Sequence, residues 1–302
     1  MAKAMGYQRN LSASLLGSHR KTASRQTSVA ILRTPDRENP NFQYPNESHT
    51  QAIREAAKEL GFFVEEHIVT ETRKLRAALR VMRARGIEGI ITGFMGVLSP
   101  QWSQAEEWSE FAVVSCGRIH GDTGVDKVRP DIFGGLTTVW QRMRDLGYRR
   151  IAPVICMHKD HVEDDWERLG AVLACQSKDG GQAAALPPWL GQVDDAKILD
   201  YIREQKPDAI LSFSRNLYFD LLREGYRIPE DLGLACLHSH QISEEEGFLS
   251  GCRHDEYTIG RMTMNMLEES IRSRRFGLRR KPHDRVIPAL FEKGFTLRKT
   301  AP

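Results

Sequence analysis

Short apolar runs rich in β-branched residues alternate along almost the whole chain with stretches whose apolar residues recur at helical spacing. SVAIL (28–32), FFVEEHIV (62–69), GIIT (89–92), FAVVSC (111–116), IAPVIC (151–156), AILSF (209–213) and LGLACL (232–237) read as strands. Between them, Ala52, Ile53, Ala56, Ala57 and Leu60 mark a helix from about His49 that Gly61 ends, and Leu75, Leu79, Val81 and Met82 mark another that Gly86 closes. Further helices are predicted through Leu136, Val139, Met143 and Leu146, over Trp166–Cys175, over 196–205, over YFDLLREG (218–225), and from about Thr258 to Arg272. Strands separated by single helices must run parallel with right-handed crossovers, which places helices on both faces of a sheet. Nine or so such units overfill one sheet, and 302 residues approach the size at which one core stops growing. The expected fold class is therefore α/β, with two similar Rossmann-like lobes built on parallel sheets.

Composition narrows the function classes. With 40% hydrophobic and 27% charged residues the chain is globular rather than disordered. The formal charge of +3 is unevenly laid out: residues 1–26 hold Lys3, Arg9, Arg20, Lys21 and Arg25 with no acid, leaving 38 bases against 40 acids in the rest. A globally basic nucleic-acid binder is excluded, whereas a basic arm on a neutral body is not. No apolar run is long enough to span a membrane, and Leu11–Leu16, short and Ser-interrupted, makes no signal core. The five cysteines (Cys116, Cys156, Cys175, Cys236, Cys252) are odd in number and form no Cys-x-x-Cys pair, as expected for reduced thiols in a cytoplasmic protein.

Four segments carry more specific information. In AKAMGYQRNLSASLLGS (2–18), Met5-Gly6-Tyr7 and Asn10 precede Ala13 and Leu16, three apart. In DIFGGLTTVWQRMRDLGYRRI (131–151), Asp131 leads Gly134-Gly135, and Leu146-Gly147-Tyr148-Arg149-Arg150-Ile151 closes the helix. GYRIPEDLGLACL (225–237) holds a Pro-Glu-Asp turn before a strand, and Asp255 precedes Gly260 by five. In this order and at this spacing the four segments resemble bacterial transcriptional regulators of the LacI/GalR family, over essentially the whole chain.

The resemblance implies a periplasmic binding protein-like (type I) pair of lobes preceded by a short hinge-helix segment. It divides the chain into 1–26, the end of a DNA-binding headpiece with hinge helix and linker, and 27–302, a two-lobed effector-binding and dimerisation domain. Lobe 1 is expected over about 27–130 and 251–285, and lobe 2 over about 131–250 and 286–302. In a homodimer two hinge helices would enter the minor groove of an operator, with Leu16 as the wedge between base steps and Ala13 as the close-contact residue. Such wedges unstack a step at a cost of a few kcal/mol, offset by the bend they allow. Asn10, Ser12 or Ser14 would donate to phosphates that Arg20, Lys21 and Arg25 help neutralise. Most of a helix-turn-helix would precede Met1. The residues present are therefore expected to bind DNA with little sequence specificity, because base-edge contacts supply specificity.

The resemblance also implies a small-molecule effector, commonly a sugar, held between the lobes by loops at the carboxyl ends of parallel strands. Asn39 and Phe42 match the family's loop after the first strand. Asp255 is expected either to accept a sugar hydroxyl or to cap a helix. Other usual ligands are replaced. Counting three back from Gly170, where the family has Arg, gives Glu167, with Trp166 beside it; Asn216 follows the AILSF strand, and His238 stands where the family has Asp. HKDHVEDD (158–165) has metal-binding residue types, but a polar loop explains it as well. No nucleophile elbow, phosphate loop or dinucleotide fingerprint is present, so no catalytic residues, metal or cofactor are expected. The alternative to a regulator is a stand-alone small-solute or sugar-binding protein without DNA-binding activity.

Overall fold

A computed structural model describes residues 27–33, 46–69, 72–93, 102–118, 123–157, 163–180, 185–192, 197–239, 241–243 and 247–299. The first lobe contains β1 (Thr27–Arg33), α1 (Glu47–Leu60), β2 (Phe62–Ile68), α2 (Thr72–Ala84), β3 (Ile87–Thr92), β4 (Ala112–Cys116) and β5 (Asp126–Pro130). The chain then enters the second lobe through α3 (Ile132–Asp145), β6 (Ile151–Val154), α4 (Glu163–Lys178), α5 (Lys197–Gln205), β7 (Ala209–Ser212), α6 (Asn216–Arg223) and β8 (Gly233–Cys236). There follow a small antiparallel pair, β9 (Gln241–Ser243) and β10 (Gly247–Phe248), then β11 (Gly251–Arg253), α7 (Glu256–Arg272), β12 (Asp284–Ile287) and β13 (Leu290–Glu292).

The first sheet runs β12-β5-β4-β3-β1-β2, all parallel. The second runs β13-β11-β8-β7-β6, parallel except for β13 against β11. Each sheet is sandwiched between two helical layers because its central strands are apolar on both faces. On the first, Ala30, Leu32 and Val113 meet α2 and the pair Trp102–Trp108, while Val29, Ile31 and Val114 meet α1 and α7. On the second, Ala209, Leu211 and Ala235 meet α3 and α4, while Ile210, Leu234 and Cys236 meet α5 and α6.

The chain passes between the lobes three times: β5 to α3, β11 to α7, and β12 to β13. The expected boundaries shift at two of these crossings. Gly251–Arg253, expected in lobe 1, pairs with β8 and β13 in the second sheet. That pairing depends on glycine, since Gly251 has φ +147° and a Cβ there would lie 1.9 Å from the Cys236 carbonyl oxygen. Val286 and Ile287, expected in lobe 2, remain in the first sheet beside Arg129 and Pro130. Two crossings begin helices in the same way. Asp131 accepts from the Gly134 amide at 2.8 Å, and Asp255 accepts from the Thr258 amide at 3.0 Å. The two motif aspartates are thus N-caps. Gly260 serves packing, because a Cβ there would meet the His49 carbonyl oxygen at 2.5 Å where α7 crosses α1.

Candidate functional site

The carboxyl ends of the parallel strands bring the chemistry of both lobes to one place. From lobe 2, Phe213 follows β7, His238 follows β8 and His254 follows β11, while Arg168 reaches in from α4. Arg168 is buried, its Nη2 donates to the fully buried Asp165, and its guanidinium lies 4.1 Å from the centre of the Phe213 ring. Burial pulls this guanidinium below its ordinary pKa, and the neighbouring carboxylates only partly restore it. Among the described residues its buried Nε has no hydrogen-bond partner. Phe213 meets the His238 ring edge-on at 5.1 Å, and His238 meets His254 at 4.6 Å. A small pocket opens here, lined by Arg168, His238, His254, Leu237 and Cys252 together with Ile132 and Leu136 of α3.

Lobe 1 brings a further imidazole close enough to feel the charge of His254. His49, on the first turn of α1, is buried, and its Nδ1 lies 2.7 Å from Oδ1 of Asn46, the α1 cap. Burial and then the nearby His254 hold its pKa down at about 4, so it is neutral at pH 7. Arg33, at the end of β1, ties this corner together by donating to Thr50 at 2.7 Å and Glu66 at 3.0 Å.

Across the mouth, lobe 1 presents arginines and lobe 2 presents acids. Gly117 ends β4 with φ +93°, its amide donates to Val128 at 2.7 Å, and Arg118 follows. Arg118 meets Asp164 at 2.5 Å and Glu163 at 3.3 Å, and also pairs with Glu167, all on the first turns of α4. Arg129 of β5 meets the same Glu167 at 3.4 Å and Asp284 of β12 at 2.9 Å. Burial works against the Arg129 charge, but Asp284 and Glu167 outweigh it and its pKa is raised. The acids also face the N-terminal end of α4, where the helix dipole favours negative charge.

The residues singled out from sequence scatter around this site. His238 lines the pocket, and Glu167 joins the ion pairs at the mouth. Asp255 spends both oxygens on Thr258, the second accepting from its hydroxyl at 2.8 Å. Trp166 is 55% exposed on the outer side of α4, and Asn216 is exposed at the start of α6. Asn39 and Phe42, the hinge residues Asn10, Ala13, Ser14, Leu16, Arg20 and Lys21, and His158 to His161 lie outside the described residues. Among the described residues no three His, Cys, Asp or Glu side chains are placed to share a metal ion. Arg118, Arg129, Arg168, His49 and His254 do not stand out as site residues in the sequence.

No family model matches the chain, and no curated protein matches it. Solved structures do. A LacI family transcriptional regulator from Enterococcus faecium with bound ribose is similar at a TM-score of 0.67 and 18% identity, over 91% of this chain and 100% of that one. The transcription regulator CcpA of Lactococcus lactis is similar at 0.67 and 15% identity, over 90% and 99%. A periplasmic binding protein/LacI transcriptional regulator from Alkaliphilus metalliredigens complexed with D-xylulofuranose is similar at 0.64 and 15% identity, over 89% and 98%. The fold is that of the LacI-family regulators.

Within α4, a Cβ added at Gly170 would meet open space, whereas Ala171 is fully buried.

Proposed function

We propose that this chain is the sensing part of a LacI/GalR-type transcriptional regulator, whose operator binding is controlled by a small carbohydrate between its lobes. The observation that carries this reading is the pair of parallel sheets whose carboxyl ends face each other across a cleft with three crossovers behind it. That geometry permits hinge closure on a ligand. The bound ribose and D-xylulofuranose of the similar structures support a sugar as the ligand class. Arg168, His238 and His254 would contact it from lobe 2, and Asn39 and Phe42 from the loop after β1. In a cytoplasmic homodimer, effector binding would shift the lobe arrangement and change how the two hinge segments are presented, with Leu16 and Ala13 meeting the minor groove and Asn10, Ser14, Arg20 and Lys21 the phosphates. The two sites are then coupled reciprocally in affinity. No enzymatic role enters this reading.

The test has two arms. A thermal-shift panel of mono- and disaccharides is expected to give a hit, a sugar at about 100 times its dissociation constant adding ~2.7 kcal/mol of stability. The complete product of the gene is expected to bind a palindromic operator with a strong salt dependence that the same sugar alters. A sugar hit without any operator binding would favour the stand-alone solute-binding alternative. Silence in both arms overturns the proposal.

A further inference from the structure

The ion pairs at the cleft mouth join the two lobes through side chains on opposite sides of the opening. Arg118 is only 11% exposed, yet its partners Glu163, Asp164 and Glu167 all belong to α4 of the other lobe. Arg129, 14% exposed, pairs with the same Glu167 while anchored by Asp284 on its own sheet. Two guanidiniums of lobe 1 are therefore shared among three carboxylates of lobe 2. All three carboxylates sit on the first turns of one helix, whose dipole already favours them.

The placement of these groups is what distinguishes the network from ordinary surface pairing. Isolated exposed pairs contribute little because water solvates both partners and the side chains lose freedom. Here the arginines are mostly withdrawn from water, and the acids gain from the helix terminus as well as from the guanidiniums. Opening the cleft would separate the interlobe pairs together and leave Arg118 facing none of its present acids. The bonds that a bound effector makes in a hinge-closing sensor are here made between the protein's own side chains.

We propose that Arg118, with Arg129, forms an electrostatic latch onto Glu163, Asp164 and Glu167 that holds the lobes closed without any ligand. This rests on the sensor reading only in that the lobes are taken to move as a hinged pair. An effector acts on a cleft that is already shut, so its influence depends on whether its contacts replace the latch or add to it.

Lobe separation in ligand-free protein tests this. Dyes on Lys58→Cys in α1 and Lys178→Cys in α4 report the distance by energy transfer, and the five native cysteines, all buried, are left unlabelled. The parent protein is expected to show high transfer. Arg118→Gln is expected to lower the closed-to-open ratio at least tenfold, equal to about 1.4 kcal/mol, and Arg118→Lys to recover part of it. Raising salt from about 0.1 to about 1 M shortens the screening length from about 10 to about 3 Å, and should open the parent protein in part while moving Arg118→Gln, which keeps only the Arg129–Glu167 pair, clearly less. Equal transfer in the parent and Arg118→Gln at low salt overturns the latch, as does an equal salt response in both. Should the Arg118→Gln chain fail to fold, small-angle scattering of unlabelled parent protein at the two salt levels reads the same opening, and an unchanged radius of gyration overturns the latch. Sugar binding is scored separately. A closed ligand-free protein that no sugar stabilises sinks the sensor reading alone, and an open one that a sugar closes sinks the latch alone.

Discussion

At the scale of single residues, burial decides what each polar group does. His49 is held neutral, so the folded protein binds fewer protons than the unfolded chain between its native pKa of about 4 and its ordinary 6.5. Stability from this group is therefore intact above about pH 6.5 and lost as pH falls towards 4, with a slope of at most about 1.4 kcal/mol per pH unit. Denaturant midpoints across that window should show this slope in the parent protein and a shallower one in His49→Gln; parallel curves would exclude His49 as the source. The two crossing caps give a second expectation. Asp131→Ala and Asp255→Ala each remove the acceptor for a helix N-terminus and should each cost about 1 kcal/mol, read as a fall of a few degrees in Tm. For Asp255 this also separates cap from ligand: a variant with unchanged Tm but lost sugar response would return it to the binding set.

At the scale of elements, strands buried on both faces were legible, as was the edge strand β2, whose leading Phe62, Phe63 and Val64 stand out, whereas the other strands built around polar residues were not. SVAIL, FAVVSC, AILSF and GLAC stand out because every position packs on something apolar. The segment DKVRP of β5 conceals itself. Its Asp126 is buried, ion-paired with Arg279 at 2.7 Å and accepting from the His283 amide at 2.8 Å, partners more than 150 positions along the chain. β11, β12 and β13, three or four residues each, carry too few apolar positions to show a period. The site was partly legible for the same reason. His238 follows a readable strand, whereas Arg118 gains meaning only from acids 45 or more positions away. The α1–α7 crossing offers a clean check on such reasoning. Gly260→Ala places a methyl against the His49 backbone and should cost about 1–3 kcal/mol, whereas Gly170→Ala, in open space within α4, should be neutral or stabilising. Equal denaturation midpoints for the two variants would contradict the helix contact described here.

At the scale of the whole molecule, five free cysteines are spread through both lobes and all are buried. Burial raises the Cys116, Cys236 and Cys252 thiols to about 12 and Cys175 to about 11. A thiol reagent should therefore find almost nothing to react with in the native protein and five groups in denaturant; a fast native reaction at any of them would show that a lobe opens internally. The three crossings between lobes carry a further consequence, for synthesis on the ribosome. Contiguous domains fold in the order in which they emerge, but here neither lobe is contiguous. The first sheet receives its edge strand only at Asp284–Ile287, and α7, which covers α1, emerges about two hundred residues after it. The second sheet waits for Leu290–Glu292. Both lobes are completed within a few residues of each other. Until α7 and β12 emerge, the α7-facing side of α1 and the outer edge of β5 remain uncovered, and a stop codon anywhere before β12 would leave two unfinished lobes instead of one finished and one missing.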